Sequence, residues 1–163
     1  MAPRIMMDSP GAAAYTMTNI RALAQYGYMK NPVVYRAVKV ISDTCAAIPL
    51  RVYGKDHHIL QTHPLLDRIL TPNPDQPKVT FMDSVISHWI IAGTNYLFAS
   101  FPGQSTDLSS TPPTGLYVLP PYYVTPQIDY ATSQITAYRY DYGRGFTDCP
   151  PWKVHPLTFF HPL

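Results

Sequence analysis

The chain has 163 residues, of which 46% are apolar, enough for one domain with a real core. Its net charge of +2 is too small for a nucleic-acid footprint, and no local Lys/Arg cluster supplies one. Charged residues make up only 13%, about half the usual share, so the surface is polar without charge or is covered by something else.

The 18 prolines and 13 tyrosines point to short elements, abrupt connections and amphipathic contact surface. Cys45 and Cys149 are far apart in sequence and make no disulfide framework, so a reducing compartment is expected. The N-terminus lacks the apolar core of a signal peptide, and no apolar run reaches membrane-spanning length. These features lead us to expect a soluble protein made inside the cell.

Residues 1–30 have no sustained period and read as an arm, partly flexible and ordered only against a partner. Within it, Thr18 to Gln25 predicts a short helix capped by Thr18 or Asn19 and stopped at Gly27. The domain proper is assigned to residues 31–163. It opens with a helix from Pro32 to Ala47, with Asn31 as N-cap and Pro32 at the first helical position. Val34, Ala37, Val38, Ile41 and Cys45 predict its apolar face; Arg36, Lys39 and Asp43 lie opposite, and Lys39 and Asp43 make a weak surface pair. Pro49 ends the helix, Leu50 to Tyr53 alternate as a strand, and KDHHIL pairs back on it as a hairpin.

His63-Pro64 opens a brief helix, PLLDRIL, which Thr71-Pro-Asn-Pro-Asp closes. A second long helix is predicted from Thr80, with Thr80 and Asp83 as a capping box and Gly93 as C-cap. Met82, Val85, Ile86, Trp89 and Ile90 form its apolar face. TNYLFASF is apolar on both sides and reads as a strand covered on both faces. A polar Gly/Ser/Pro loop follows, then the β-type segments LYVLPP, YYVTPQID and QITAYRYDY. VHPLTFFHPL reads as a last strand with an open edge, as if the domain continued. The order predicts an α+β fold, with two amphipathic helices packed on a β-hairpin and an antiparallel meander.

No motif carries strong chemistry. His57 and His58 are adjacent, so on a strand they face opposite ways and with His63 make a poor metal set. Cys149 and His155 allow a thiol–imidazole pair, but no third group orients it. Gly143-Arg-Gly is too short for a phosphate loop and opens no helix. Asp75 and Asp83 read as turn and cap residues rather than an acid–base pair. Tyr122, Tyr123, Tyr130, Tyr138, Tyr140 and Tyr142 allow a stacking platform for single-stranded nucleic acid, but without a basic groove they read better as sheet packing or interface. No catalytic, cofactor-binding or metal-binding residue is assigned and no cofactor is expected. The competing classes are a small His/Cys-dependent metal or thiol enzyme and a single-strand-binding module.

Several ordered segments resemble the phage portal protein family of the HK97 type. They are NPVVYRAVKVISDTCAAIPLRVY, HPLLDRILTPNPDQ, FMDSVISHWIIAGTNYLF, GLYVLPPYYVTP and ITAYRY. The resemblance rests on Ala47-Ile48-Pro49-Leu50, His63-Pro64-Leu65, Pro72-Asn73-Pro74, Gly93-Thr94-Asn95-Tyr96 and Leu119-Pro120-Pro121, with His161 matching a later family histidine. Thr94 departs from it by separating Gly93 from Asn95. The resemblance implies the N-terminal part of a portal wing, cut short, with stem, clip and crown beyond it. It further implies a non-enzymatic role in a homo-oligomeric, dodecameric ring at the portal vertex of the capsid, made in the host cytoplasm. Its implied partners are the terminase large subunit, the major capsid and head–tail adaptor proteins, and DNA passing through the channel, with no membrane. The arm has little apolar content to offset its ordering entropy, so we expect residues 1–17 to be unprotected; from the open edge we expect the same of residues 155–163, and self-association of the chain.

Overall fold

A computed structural model describes residues 21, 23–102, 112–129 and 131–159. Its long helices are α1 (Pro32–Ala47) and α3 (Lys78–Ala92), with the short α2 (Pro64–Leu70) between them. The strands are β1 (Val52–Tyr53), β2 (Ile59–Leu60), β3 (Thr94–Ser100), β4 (Gly115–Leu119), β5 (Val124–Asp129), β6 (Gln134–Asp141), β7 (Phe146–Cys149) and β8 (Val154–Thr158). The fold is α+β, as the element order predicts.

The helix ends follow local chemistry. The Asn31 side chain accepts from the amides of Val33 and Val34 at 3.0 and 3.3 Å, so two otherwise free donors are satisfied. Gly93 caps α3 in the left-handed region, φ 70°, and donates its amide to Trp89. The α3 start differs from expectation. The helix begins at Lys78, Thr80 lies inside it, and no side chain caps it. The Thr80–Asp83 capping box is therefore absent, and Asp83 is free to serve α1 instead.

The predicted face of α1 is also rotated. Val38 is 5% exposed and Ser42 and Ala46 are fully buried, whereas Ile41 is 49% exposed and Ala37 lies in the open. The buried residues stand four apart, a ridge whose small side chains let α1 lie close against α3. Cys45 is half-buried at the edge of this ridge.

The strands do not form one meander. Sheet order is β4-β3-β8 in one three-stranded sheet and β5-β6-β7 in another, with β1-β2 a separate short hairpin. All pairs are antiparallel. Each passage between the two larger sheets uses the same device. Pro120-Pro121 precedes the 3-10 turn Pro121–Tyr123, and Pro150-Pro151 precedes the turn Pro151–Lys153. Two prolines fix φ and remove successive donors, so the ladder stops and the chain turns out of its sheet.

The two sheets pack face to face around Val124, Tyr138, Cys149 and Val154, with Tyr96, Phe98, Leu119 and Tyr140 partly buried against them. On the opposite side of β3, the fully buried Asn95 donates to the Val85 carbonyl of α3 at 3.0 Å. The expected cover on both faces of this strand is present. The result is a four-layer stack in the order α1, α3, first sheet, second sheet.

The last described strand is not left without a partner. β8 pairs with β3 from Thr94↔Thr158 to Phe98↔Val154. Beyond it, the Phe159 amide donates to Gly93 at 3.0 Å, and its ring stacks on Trp89 with centroids 4.5 Å apart. The expectation of unprotected amides therefore fails across the β8 pairing, because β8 returns to a strand some sixty residues upstream. β8 is still an edge strand. Residues 1–17 lie outside the described residues.

The arm also differs where it is described. Leu23–Tyr28 is a π-helical stretch that runs through Gly27, and Tyr28 meets Tyr35 of α1 at 5.2 Å. It packs on α1 and α3.

Asn95 joins α3 to β3 with a side-chain amide that no apolar residue can replace. Asn95→Ala is expected to lower unfolding free energy by about 1–3 kcal/mol, measured as a fall in urea midpoint with unchanged slope.

Candidate functional site: polar clamp and outer faces

The residues considered for chemistry are dispersed. His57 and His58 sit in the β1–β2 turn, exposed, with His57 at φ 58°. Among the described residues, no three His, Cys, Asp or Glu side chains are grouped to hold a metal. Cys149 is buried between the sheets, and burial pushes its thiol up. His155 lies on β8 next to inward-facing Val154 and is exposed, so strand alternation turns it away from the Cys149 core. A nucleophile with a raised pKa and no imidazole partner is the opposite of an activated thiol. Asp75 donates its amide to the Asn73 side chain at 3.0 Å and is a turn residue, as expected.

The tyrosines do not form an open platform. Tyr138 is buried in the sheet core. Tyr122, Tyr123, Tyr140 and Tyr142 touch one another in series, at 4.7, 6.5 and 6.3 Å between centroids. Rings that pack on each other leave little face for successive bases. Tyr130 lies outside the described residues. Tyr122 and Tyr123 also line a groove of about 430 Å³ with Arg21, Gln25 and Lys30.

The Asn-Pro turn after α2 has a structural task. Pro72 is fully buried, and its carbonyl accepts from Leu116 of β4 at 2.7 Å. The buried Asn73 amide donates back to the Leu116 carbonyl at 2.9 Å. This two-way clasp pins the turn to the first sheet.

The polar clamp lies between α1 and α3. Lys39 Nζ reaches Asp83 Oδ2 at 2.9 Å and Asp43 Oδ1 at 2.8 Å. The buried Ser42 hydroxyl donates to Asp83 Oδ1 at 2.5 Å, and Ser87 adds a longer contact at 3.5 Å. The Lys39–Asp43 surface pair is present, but Lys39 also reaches inward. Burial alone would raise the Asp83 carboxyl; the Ser42 hydroxyl and the Lys39 ammonium outweigh it and hold Asp83 below the ordinary range. Lys39 is raised, by Asp43 first and then Asp83.

With α1 held in this rotation, Val33 at 75% exposure, Val40 at 50% and Ile41 face outward. Pro32, Arg36 and Ala37 complete a shallow trough with them. At the other end of the stack, the second sheet exposes Ile128, Ile135 and Phe146. Arg139 lies over the Phe146 ring at 4.1 Å and holds Asp148 through two hydrogen bonds of 2.8 and 2.9 Å. The sequence reading missed both faces: it turned Ile41 inward, and it had no signal for the sheet on which Ile135 and Phe146 would fall.

Two layers of antiparallel sheet, clasped turns and a paired helix cover make up this fold, and it has relatives among known proteins. A chain from the neck of an empty GTA particle, computed with C6 symmetry, matches with TM-score 0.75 and 25% identity, over 96% of this chain and 41% of that one. A chain from the virion of a native gene transfer agent (GTA) particle matches with TM-score 0.69 and 23% identity, over 94% and 39%. A Rickettsia bellii (strain RML369-C) protein described as uncharacterized is 26% identical over 119 residues. A Rickettsia felis (strain ATCC VR-1525 / URRWXCal2) protein of the same description is 26% identical over 122 residues. The chain spans 28% of the length of each. The phage portal protein family model matches residues 32–162, and the chain belongs to that family.

Two outcomes test this site. The Asp83 carboxyl is depressed, so its stabilisation is present above the ordinary carboxylate pKa, about 3.9, and is lost as pH falls through its folded value. Thermal melts below about pH 4 should therefore fall less steeply for Asp83→Asn than for the parent, with the variant less stable at neutral pH. For the cysteines, a thiol reagent at neutral pH should label Cys45 in the native protein and reach Cys149 only on unfolding, read by peptide mass spectrometry.

Proposed function

We propose that the protein is a structural, non-enzymatic component of a phage-like head, contributing the N-terminal part of the portal wing through residues 31–163, with residues 1–30 as an arm. The observation that carries this is the family match over residues 32–162, supported by the likeness to the neck chain at TM-score 0.75. In this reading the protein works in a homo-oligomeric ring at the portal vertex of the capsid, and is made in the host cytoplasm. The neck of the empty GTA particle was computed with C6 symmetry, and that of the native GTA particle, a chain of which matches with TM-score 0.67 and 22% identity, with C12 symmetry; these support a ring, the second a dodecamer. Terminase large subunit, major capsid and head–tail adaptor proteins are its partners, and DNA passes through the complete channel. The role is mechanical: subunits hold position around an axis, and no bond chemistry is assigned to them.

Negative-stain microscopy with light scattering on the purified protein tests the reading. Closed rings with sixfold or twelvefold class averages are expected. A species that stays monomeric across concentration and salt would overturn it.

A further inference from the structure

The geometry points to the outward face of α1 as one half of the contact between neighbouring copies of this chain, with the outer face of the β5–β6–β7 sheet as the other half. The inference rests on the ring reading above and specifies which surfaces close the ring.

A ring of more than two copies is closed by head-to-tail contact, so each subunit needs two different patches, one on each side. This fold supplies them. α1 and the second sheet are the two outermost layers of the stack, separated by α3 and the first sheet. An apolar strip at each end therefore faces away from the other, and the two cannot cover each other within one copy. On α1 the strip is Val33, Ala37, Val40 and Ile41. On the second sheet it is Ile128, Ile135 and Phe146.

The charges at the two strips are complementary. Arg36 lies in the α1 trough and forms no ion pair among the described residues. On the outer face of the second sheet, exposed Asp141 stands opposite Phe146 in the β6–β7 register, and Arg139 on the same face is already paired with Asp148. A basic residue within one apolar strip and an acidic residue bordering the other favour a face-to-face register and disfavour α1 meeting α1, where Arg36 would oppose Arg36. The clamp is what makes the α1 strip available. Lys39, Ser42 and Asp83 fix the helix so that its larger aliphatic side chains, rather than Ser42 and Ala46, look outward.

The test uses the whole chain. Val40→Asp and Ile135→Asp each place a carboxylate in one strip. Val40 is 50% and Ile135 39% exposed and neither belongs to the buried core, so circular dichroism and melting temperature should stay near the parent values, while ring mass in light scattering falls at least tenfold toward monomer. Separately, Val40→Cys and Ile135→Cys are combined in one chain in which the reactive native thiol is removed by Cys45→Ser, as it is in both single-variant controls, and treated with a short thiol cross-linker. A ladder of covalent oligomers is expected on denaturing gels, absent from either single cysteine variant and from the parent. Rings that persist in both Asp variants, or that give no ladder beyond the single-variant controls, would overturn the inference and leave the ring reading standing. A parent protein that never forms rings would overturn both. Loss of folding in Val40→Asp with an unreactive cysteine at position 40 would show that the protein's own chain covers this face, and would also overturn the inference.

Discussion

A single carboxylate decides how the helical half of this protein is turned. Asp83 accepts the Ser42 hydroxyl and the Lys39 ammonium from α1, and Ser42 is fully buried. A buried hydroxyl needs a partner, and the partner here carries charge, which strengthens the bond. Once Ser42 faces Asp83, helical geometry brings Val38 and Ala46 to the same seam and sends Ala37 and Ile41 outward. The polar contact therefore sets an apolar result: which aliphatic side chains are spent on the core and which remain for something outside.

α3 is correspondingly the centre of the molecule. Its residues from Phe81 to Ala92 are all buried or half-buried, with α1 on one side and β3 on the other. His88, polar by type, is pushed down in pKa by burial and meets Tyr122 edge-on at 5.8 Å. A helix enclosed in this way needs no strong amphipathic pattern, because several of its faces are covered. Its C-cap glycine then delivers the chain directly into β3, and Asn95 ties the strand back to the helix it has just left.

The sheets depend on prolines placed where a ladder must end. Pro120-Pro121 carries the chain out of the first sheet, and Pro150-Pro151 brings it back. Between them, β5, β6 and β7 form a meander with a bulge at Gln127/Ile128. The return matters for stability, since β8 closes a sheet begun far earlier, and a contact of that sequence separation costs loop entropy before it stabilises anything.

Much of the local chemistry was legible in the sequence, the start of α3 excepted. Asn31-Pro32 started α1, Pro49 ended it, Gly93 capped α3, and the Asn-Pro turn after Leu70 stopped α2, each because one residue type satisfies or removes a particular backbone group. The order of short motifs also pointed to the portal family, since each marks a forced turn or cap. What the sequence left open depended on partners distant along the chain. Asp83 reads equally well as a cap or as a clamp until α1 lies beside it. Ile41 and Ser42 exchange inside for outside according to the same contact. LYVLPP and YYVTPQID look like neighbours in a meander until the two prolines separate them into different sheets. The last strand looks unpaired until β3 is seen to have a free side. Caps and breakers act on backbone groups within one turn of themselves, so sequence determines them; helix rotation and strand partnership are set by which side chains meet across space, and only the tertiary structure decides that.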